Sequence, residues 1–114
     1  MIHYGLTKSA QLALSRGIAE SVAGTGVTVN AVLPGPTRSE GVVEFLEKVA
    51  NAHGSQTTEV EEEFLRTMRP SSLIRRFAEP EEVANVVVYL AGERASATTG
   101  AAIRVDGGVV RSIL

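Results

Sequence analysis

Cysteine is absent from the 114-residue sequence, which excludes a disulfide framework, a thiolate metal site and a cysteine nucleophile. Histidine is scarce, and because His3 and His53 lie 50 residues apart with no carboxylate at ligand spacing, we predict no metal site. An excess of one charge is also missing, since 11 lysines and arginines face 13 aspartates and glutamates. Without a basic surface to contact phosphates, nucleic acid is not an expected partner.

Long hydrophobic runs are missing as well. The most apolar stretch, Val83–Gly92, is interrupted by Asn85 and is far shorter than the roughly 20 residues of a membrane-spanning helix. Near the amino terminus Lys8 and Arg16 lie within a helical pattern, so no secretion signal is indicated. We therefore expect a cytoplasmic protein with no membrane partner, and its length allows one hydrophobic core at most.

The spacing of the apolar residues predicts alternating helices and strands. From Leu6 onwards they recur at intervals of three and four, which predicts a first helix that ends at Gly24–Gly26. The β-branched run Val27–Leu33 predicts a strand buried on both faces of a parallel sheet and ended by Pro34. The remaining predicted elements are two amphipathic helices between residues 37 and 72, joined by residues 51–57, a helix from Pro80 to about Ala91 and a strand at Ala102–Val105.

The start of the second amphipathic helix is rich in acidic residues. Thr58 and Glu61 have the spacing of a capping box. We interpret the run Glu59–Glu63 as a solvated helix start, because acidic side chains favour the positive end of the helix dipole.

Strands that alternate with helices indicate an α/β fold, in which a right-handed crossover joins two parallel strands. Both predicted strands have the hydrophobic pattern of interior strands, which are covered on both faces and paired at both edges. A sheet of two strands with about four helices cannot provide this cover. We therefore predict that residues 1–114 form a single partial domain, a piece of a larger fold.

The first candidate for chemistry is a tyrosine that precedes a lysine by four residues. Tyr4 and Lys8 are one turn apart on the same face of the first predicted helix. A phenol is a weak proton donor at neutral pH, but a nearby cation stabilises the phenolate and makes proton transfer easier. By itself the pair is also compatible with an ordinary exposed helix surface.

The second candidate is the turn after the first predicted strand. Ligands of open parallel sheets bind beyond the carboxyl ends of the strands. Pro34, Gly35 and Pro36 hold backbone groups there in a rigid geometry, and Thr37 adds a hydroxyl that suits a carboxamide or a phosphate. A plain connecting loop is the alternative interpretation.

Three motifs occur in order along nearly the whole chain. They are Tyr4-x-x-x-Lys8, then Asn30-Ala31-Val32-Leu33-Pro34-Gly35-Pro36, and then Arg76-Phe77-Ala78-Glu79-Pro80-Glu81-Glu82-Val83-Ala84 followed by Thr99-Gly100 and Val105-Asp106-Gly107-Gly108. Together they resemble the short-chain dehydrogenase/reductase family, most closely its β-ketoacyl-reductase-like branch. The resemblance implies the carboxyl-terminal part of a Rossmann-like, doubly wound parallel sheet.

The resemblance also implies the activity of an NAD- or NADP-dependent oxidoreductase, which transfers hydride between a nicotinamide and a carbonyl or alcohol substrate. Tyr4 would exchange the proton at the substrate oxygen, and Lys8 would bind the nicotinamide ribose and support the phenolate. Pro34, Gly35 and Thr37 would line the nicotinamide end of the cofactor.

The sequence departs from the family pattern before the tyrosine. The Gly-rich turn, the Asn-Ala-Gly segment and the catalytic serine of the family have no counterpart, because Tyr4 is already the fourth residue. The resemblance thus implies a carboxyl-terminal fragment that is inactive and binds no nicotinamide by itself, with residues 38–72 as its mobile substrate lid. The alternative is a non-catalytic folding or assembly module that keeps the family's interfaces. In both cases we expect a homodimer or a larger homo-oligomer.

Overall fold

The computed structural model describes residues 2–113 and confirms an α/β fold with a two-stranded parallel sheet. In chain order its elements are α1 (Ile2–Ser21), β1 (Ala31–Pro34), α2 (Glu40–His53), α3 (Thr57–Met68), α4 (Pro80–Ala91), a 3₁₀ turn (Glu93–Ala95) and β2 (Ala102–Val105). The bounds of α4 and β2 are those that their sequence patterns predict. Within residues 2–113 no helix combines the length and the hydropathy that a bilayer crossing requires.

The strand β1 begins at Ala31, so the prediction of a strand from Val27 is wrong at its start. The Ala31 N–H donates to the carbonyl of Ala101 at 2.9 Å, which sets the register with β2. Before this point Gly100 forms a bend, and the Val29 N–H donates to the Thr99 hydroxyl at 3.1 Å instead of a backbone carbonyl. None of the four residues of β1 is buried, because a two-stranded sheet does not enclose either strand. The expected burial on both faces is therefore wrong for this chain.

The start of α3 also differs from the prediction. The Gln56 N–H donates to the carboxylate of Glu59 at 3.2 Å, so the capping box lies two residues before the predicted pair, Thr58 and Glu61. The helix α2 extends to its C-cap at Gly54, where φ is 65°. The polar connection between the two helices is therefore shorter than predicted, and glycine provides the left-handed conformation that ends α2.

The contacts of the chain define two compact units. The first unit consists of the residues up to Leu33 together with residues 85–104. The second unit consists of residues 34–84 together with the residues from Val105 onwards. Buried side chains of the first unit include Ala19, Leu90 and Ala95.

The hydrophobic core of the second unit lies between α2 and α3. Leu46 from α2, Leu65 from α3 and Phe77 are buried together. Phe64 packs edge-on against Phe77, with the two ring centroids 5.4 Å apart. The apolar faces that predict these two helices are thus the faces that form this core.

Candidate functional site

Tyr4 and Lys8 lie on consecutive turns of α1, as predicted. The Nζ of Lys8 lies over the Tyr4 ring, 5.6 Å from its centroid, and Tyr4 is 52% exposed. A spacing of four residues produces this contact on a helix, and the ammonium is attracted to the face of the ring. An exposed phenol beside a cation can donate or accept a proton at its oxygen.

Asn30 belongs to a sequence motif, but its role becomes visible only in the fold. Its Nδ2 donates to the carbonyl of Thr98 at 2.8 Å, and its Oδ1 accepts from the N–H of Ala101 at 3.2 Å. Both ends of the amide are therefore used within the first unit. Asn30 holds the loop before β2 against the start of β1.

The turn that leaves β1, residues 34–37, packs directly on the backbone of Asp106. A Cβ added to Gly35 would lie 2.6 Å from the Asp106 Cα, closer than real Cβ atoms approach. The Gly35 N–H donates to the Val105 carbonyl at 3.0 Å, and the Thr37 hydroxyl donates to the Gly35 carbonyl at 2.9 Å. Because Gly35 lies so close to the Asp106 backbone, no residue with a Cβ fits there. The hydrogen bonds of Gly35 and Thr37 hold the turn rigidly.

A parallel bridge fastens the other side of this turn to the third sequence motif. The Ala78 N–H donates to the Pro36 carbonyl at 2.8 Å, and the Arg38 N–H donates to the Ala78 carbonyl at 2.9 Å. The turn is therefore fixed between two segments that are distant from it in sequence, one at Ala78 and one at Asp106.

Glu61 is buried, with 6% exposure, so the prediction that Glu59–Glu63 is a solvated helix start is wrong for this residue. Its Oε1 accepts the N–H of Phe77 at 2.9 Å, and its Oε2 binds the guanidinium of Arg38 at 2.8 Å. Burial of a carboxylate is costly unless it is paired and hydrogen-bonded, and these contacts provide both. Because Arg38 also reaches Glu79 at 3.2 Å, this network ties α3 to the end of the turn.

An ion pair between Arg76 and Glu82 stabilises the start of α4. Arg76 donates two hydrogen bonds to the two carboxylate oxygens of Glu82, both at 2.7 Å. The same carboxylate accepts the N–H of Glu79 at 2.8 Å, as in a capping box. The bond to Arg76 and the backbone bond lower the pKa of Glu82 to about 2. The Arg76 pKa is raised by the same ion pair.

This ion pair predicts an acid-dependent loss of stability. Because the pKa of Glu82 falls from its ordinary value of 4.5 to about 2 on folding, its stabilising effect is present above pH 4.5 and is lost as the pH falls towards 2. Glu82→Gln should therefore be less stable than the unmodified chain above pH 4.5, and the difference should vanish near pH 2. Denaturant unfolding at several pH values measures this. Glu81→Gln is the control, and a Glu82→Gln difference that does not change with pH would contradict the assignment.

An open cleft of about 430 Å³ lies beside the turn in the second unit. The residues that line it are Pro34, Gly35, Pro36, Thr37, Val42, Phe45, Leu46, Phe64, Arg69, Phe77, Asp106, Val109 and Val110. The wall is mostly apolar, and three of the predicted cofactor residues, Pro34, Gly35 and Thr37, line it together. Tyr4 and Lys8 belong to the first unit. Among residues 2–113, no group of three or more acidic or histidine side chains could hold a metal ion.

Known proteins similar to this chain are oxidoreductases. The sequence profile of the family described as Enoyl-(Acyl carrier protein) reductase matches residues 1–110. A Bacillus subtilis (strain 168) protein named Uncharacterized oxidoreductase YvrD is 50% identical over 113 residues, which are 99% of this chain and 43% of the relative. The Acetoacetyl-CoA reductase of Rhizobium meliloti (strain 1021) is 35% identical over 107 residues, which are 94% of this chain and 39% of the relative.

Solved structures show the same similarity. The structure of L-sorbose reductase from Gluconobacter frateurii, complexed with NADPH and L-sorbose, superimposes with a TM-score of 0.86 and 29% sequence identity. The match covers 96% of this chain and 41% of the reductase. The chain therefore spans less than half the length of each of these relatives.

Proposed function

Because the chain belongs to the short-chain dehydrogenase/reductase family, we propose that a protein containing it transfers hydride between a nicotinamide cofactor and a carbonyl or alcohol substrate. The observation that carries this proposal is the pairing of Tyr4 and Lys8 on an exposed face of α1. The family resemblance gives this pair a chemical role that the spacing alone does not.

Tyr4 is the acid and base of the proposed reaction. In the reducing direction its phenolic oxygen donates a proton to the substrate oxygen, and in the oxidising direction it accepts that proton. The family resemblance implies that Lys8 supports this proton transfer, and the Lys8 ammonium lies 5.6 Å from the centroid of the Tyr4 ring. The nicotinamide, when bound, supplies or accepts the hydride.

The residues of the second unit fit the nicotinamide end of such a cofactor. Pro34, Gly35 and Thr37 share the wall of one cleft, and their backbone is fixed by the contacts of Gly35 with Asp106. A rigid wall with a hydroxyl and backbone polar groups suits a planar carboxamide ring. On α1, the three N–H donors of Lys8 suit ribose hydroxyls. We propose NAD or NADP as the cofactor, and the NADPH of L-sorbose reductase supports this choice.

Replacement of Lys8 tests the proposed role of the pair. In an active protein that contains this chain, Lys8→Ala should lower kcat and also raise the KM for the cofactor, because the ammonium supports the phenolate and binds the ribose. Lys48→Ala is the matched control, since Lys48 is the other lysine, lies on α2 and is 79% exposed. Steady-state kinetics with NADH and NADPH measure both parameters. A fall in kcat with unchanged cofactor affinity would contradict the binding role.

We also propose that the chain associates with copies of itself through α1. Ile2, Leu6 and Leu14 are all exposed, and spacings of four and eight residues place them on one helical face. Light scattering after size exclusion should give a mass of at least twice 12.0 kDa for the chain, and Leu6→Glu should reduce it to the monomer. A wild-type monomer would contradict this proposal. The same face supports the assembly-module alternative.

A further inference from the structure

The cleft of the second unit contains two charged lining residues, Arg69 and Asp106. The carboxylate of Asp106 is engaged by the backbone of its own segment. Its Oδ1 accepts the N–H of Gly108 and its Oδ2 accepts the N–H of Val110, both at 2.9 Å. Asp106 therefore holds the segment after β2, and its two carboxylate oxygens already accept backbone N–H groups. Arg69 is the charged lining residue that offers donors to an anion.

Arg69 is exposed at the wall of the cleft, and its guanidinium lies against the aromatic core. Its guanidinium carbon lies 5.8 Å from the centroid of the Phe64 ring, and its Nη1 donates to the Met68 carbonyl at 2.7 Å. Phe64 in turn packs against the buried Phe77, so the guanidinium rests on a fixed surface. A guanidinium carries five N–H donors, and this single bond leaves most of them for another partner.

The surroundings of Arg69 favour an anion. Arg69 also lines a neighbouring cleft of about 440 Å³, together with Arg66 and Arg75. Arg66 is paired with Glu63 at 2.6 Å, whereas Arg69 and Arg75 form no ion pair with another residue in the part of the chain that the structure describes. Glu62 is the acidic residue in this lining, so the lining carries an excess of positive charge.

We infer that the cleft selects amphipathic substrates, with an apolar body against Phe45, Leu46 and Val109 and an anionic oxygen group, a carboxylate or a phosphate, bound by Arg69. Arginine binds planar anionic groups through two parallel N–H donors, and the apolar wall excludes water from the rest of the ligand. This inference rests on the proposed function in one respect, namely that the bound molecule is a substrate with a carbonyl group. The anion site itself follows from the contacts of Arg69.

Two probes with the same apolar body and head groups of different charge test the inference on the purified chain. Octanoate and octanamide have the same apolar body, and only octanoate carries the anionic group. Titrations followed by NMR shifts of an isotope-labelled chain should show octanoate binding about ten-fold tighter or more, with shifts at the cleft residues. Arg69→Gln should remove this preference and leave octanamide binding unchanged. Arg94→Gln is the matched control, since Arg94 is an exposed arginine of the first unit, and it should keep the preference.

Salt provides a second measurement that needs no variant. Raising the ionic strength should weaken octanoate binding to the unmodified chain and leave octanamide binding nearly unchanged. Equal affinities for the two probes, an intact preference in Arg69→Gln, or no saturable binding of either probe would overturn the inference. None of these results would contradict the proposed role of Tyr4. Conversely, full turnover by the Tyr4→Phe variant of an active protein that contains this chain would overturn the proposed function. That result would not contradict the anion site.

Discussion

Tyr4→Phe is expected to lower kcat by about 100-fold or more in an active protein that contains this chain, with little change in cofactor affinity. The substitution removes only the phenolic oxygen. The ring remains on α1 beneath the Lys8 ammonium, so the helix and the cation–π contact persist. What disappears is the group that we propose exchanges a proton with the substrate oxygen. Steady-state kinetics with a carbonyl substrate, followed by the absorbance of the reduced nicotinamide, give kcat and the cofactor KM separately.

The chain provides its own control for this experiment. Tyr89, the other tyrosine, is half-exposed on α4, and Tyr89→Phe removes the same atom from a residue with no proposed chemical role. It should leave both parameters unchanged. If Tyr4→Phe retained full turnover, another group would have to supply the proton, and the proposed role of Tyr4 would be wrong. Equal losses in both variants would indicate a general effect on folding.

Local patterns predict those parts of the fold that depend on local chemistry. Pro80 and the glutamates after it mark the start of α4 correctly, because capping and helix-dipole effects act within one turn. The contact of Tyr4 with Lys8 follows in the same way from a spacing of four residues. Such features need no knowledge of the rest of the chain.

Two features that depend on tertiary contacts, the burial of Glu61 and the start of β1, are not predicted from the sequence. Glu61 has the sequence context of a solvated helix start, yet it is buried because Arg38 and the Phe77 N–H converge on it from distant segments. The start of β1 also depends on a distant segment. The strand begins at Ala31, where the Ala31 N–H donates to the carbonyl of Ala101 just before β2. The sequence marks the residues with unusual chemistry but not the partners that decide their burial.

The candidate site shows the same division. The turn with Pro34, Gly35 and Thr37 is predicted as a ligand-binding element, and in the structure these residues share a cleft. Arg69 carries no sequence signal of its own, because its importance depends on the ring beneath it and on the engagement of Asp106 by backbone donors. The donors available to a ligand are a property of the fold, since they are those left after internal hydrogen bonding.

Gly35→Ala is expected to destabilise the second unit strongly. The added Cβ would lie 2.6 Å from the Cα and 2.8 Å from the carbonyl oxygen of Asp106, and these are backbone atoms that cannot rotate away. Either the turn or the segment after β2 must move, which breaks the hydrogen bond from the Gly35 N–H to Val105. We expect the free energy of unfolding to fall by about 3 kcal/mol and the melting temperature by about 10 °C or more.

Gly41→Ala separates this close contact from the general effect of replacing glycine. Gly41 lies in the first turn of α2, and among residues 2–113 no atom beyond the adjacent helix backbone comes within 4 Å of an added Cβ. Alanine should therefore leave the melting temperature unchanged or raise it slightly. Thermal unfolding of both variants, followed by circular dichroism, makes the comparison. Equal melting temperatures would show that the turn yields easily and does not provide a rigid wall. A large loss confined to Gly35→Ala would show that the packing of Gly35 on Asp106 fixes the wall of the cleft, on which the proposed nicotinamide contacts depend.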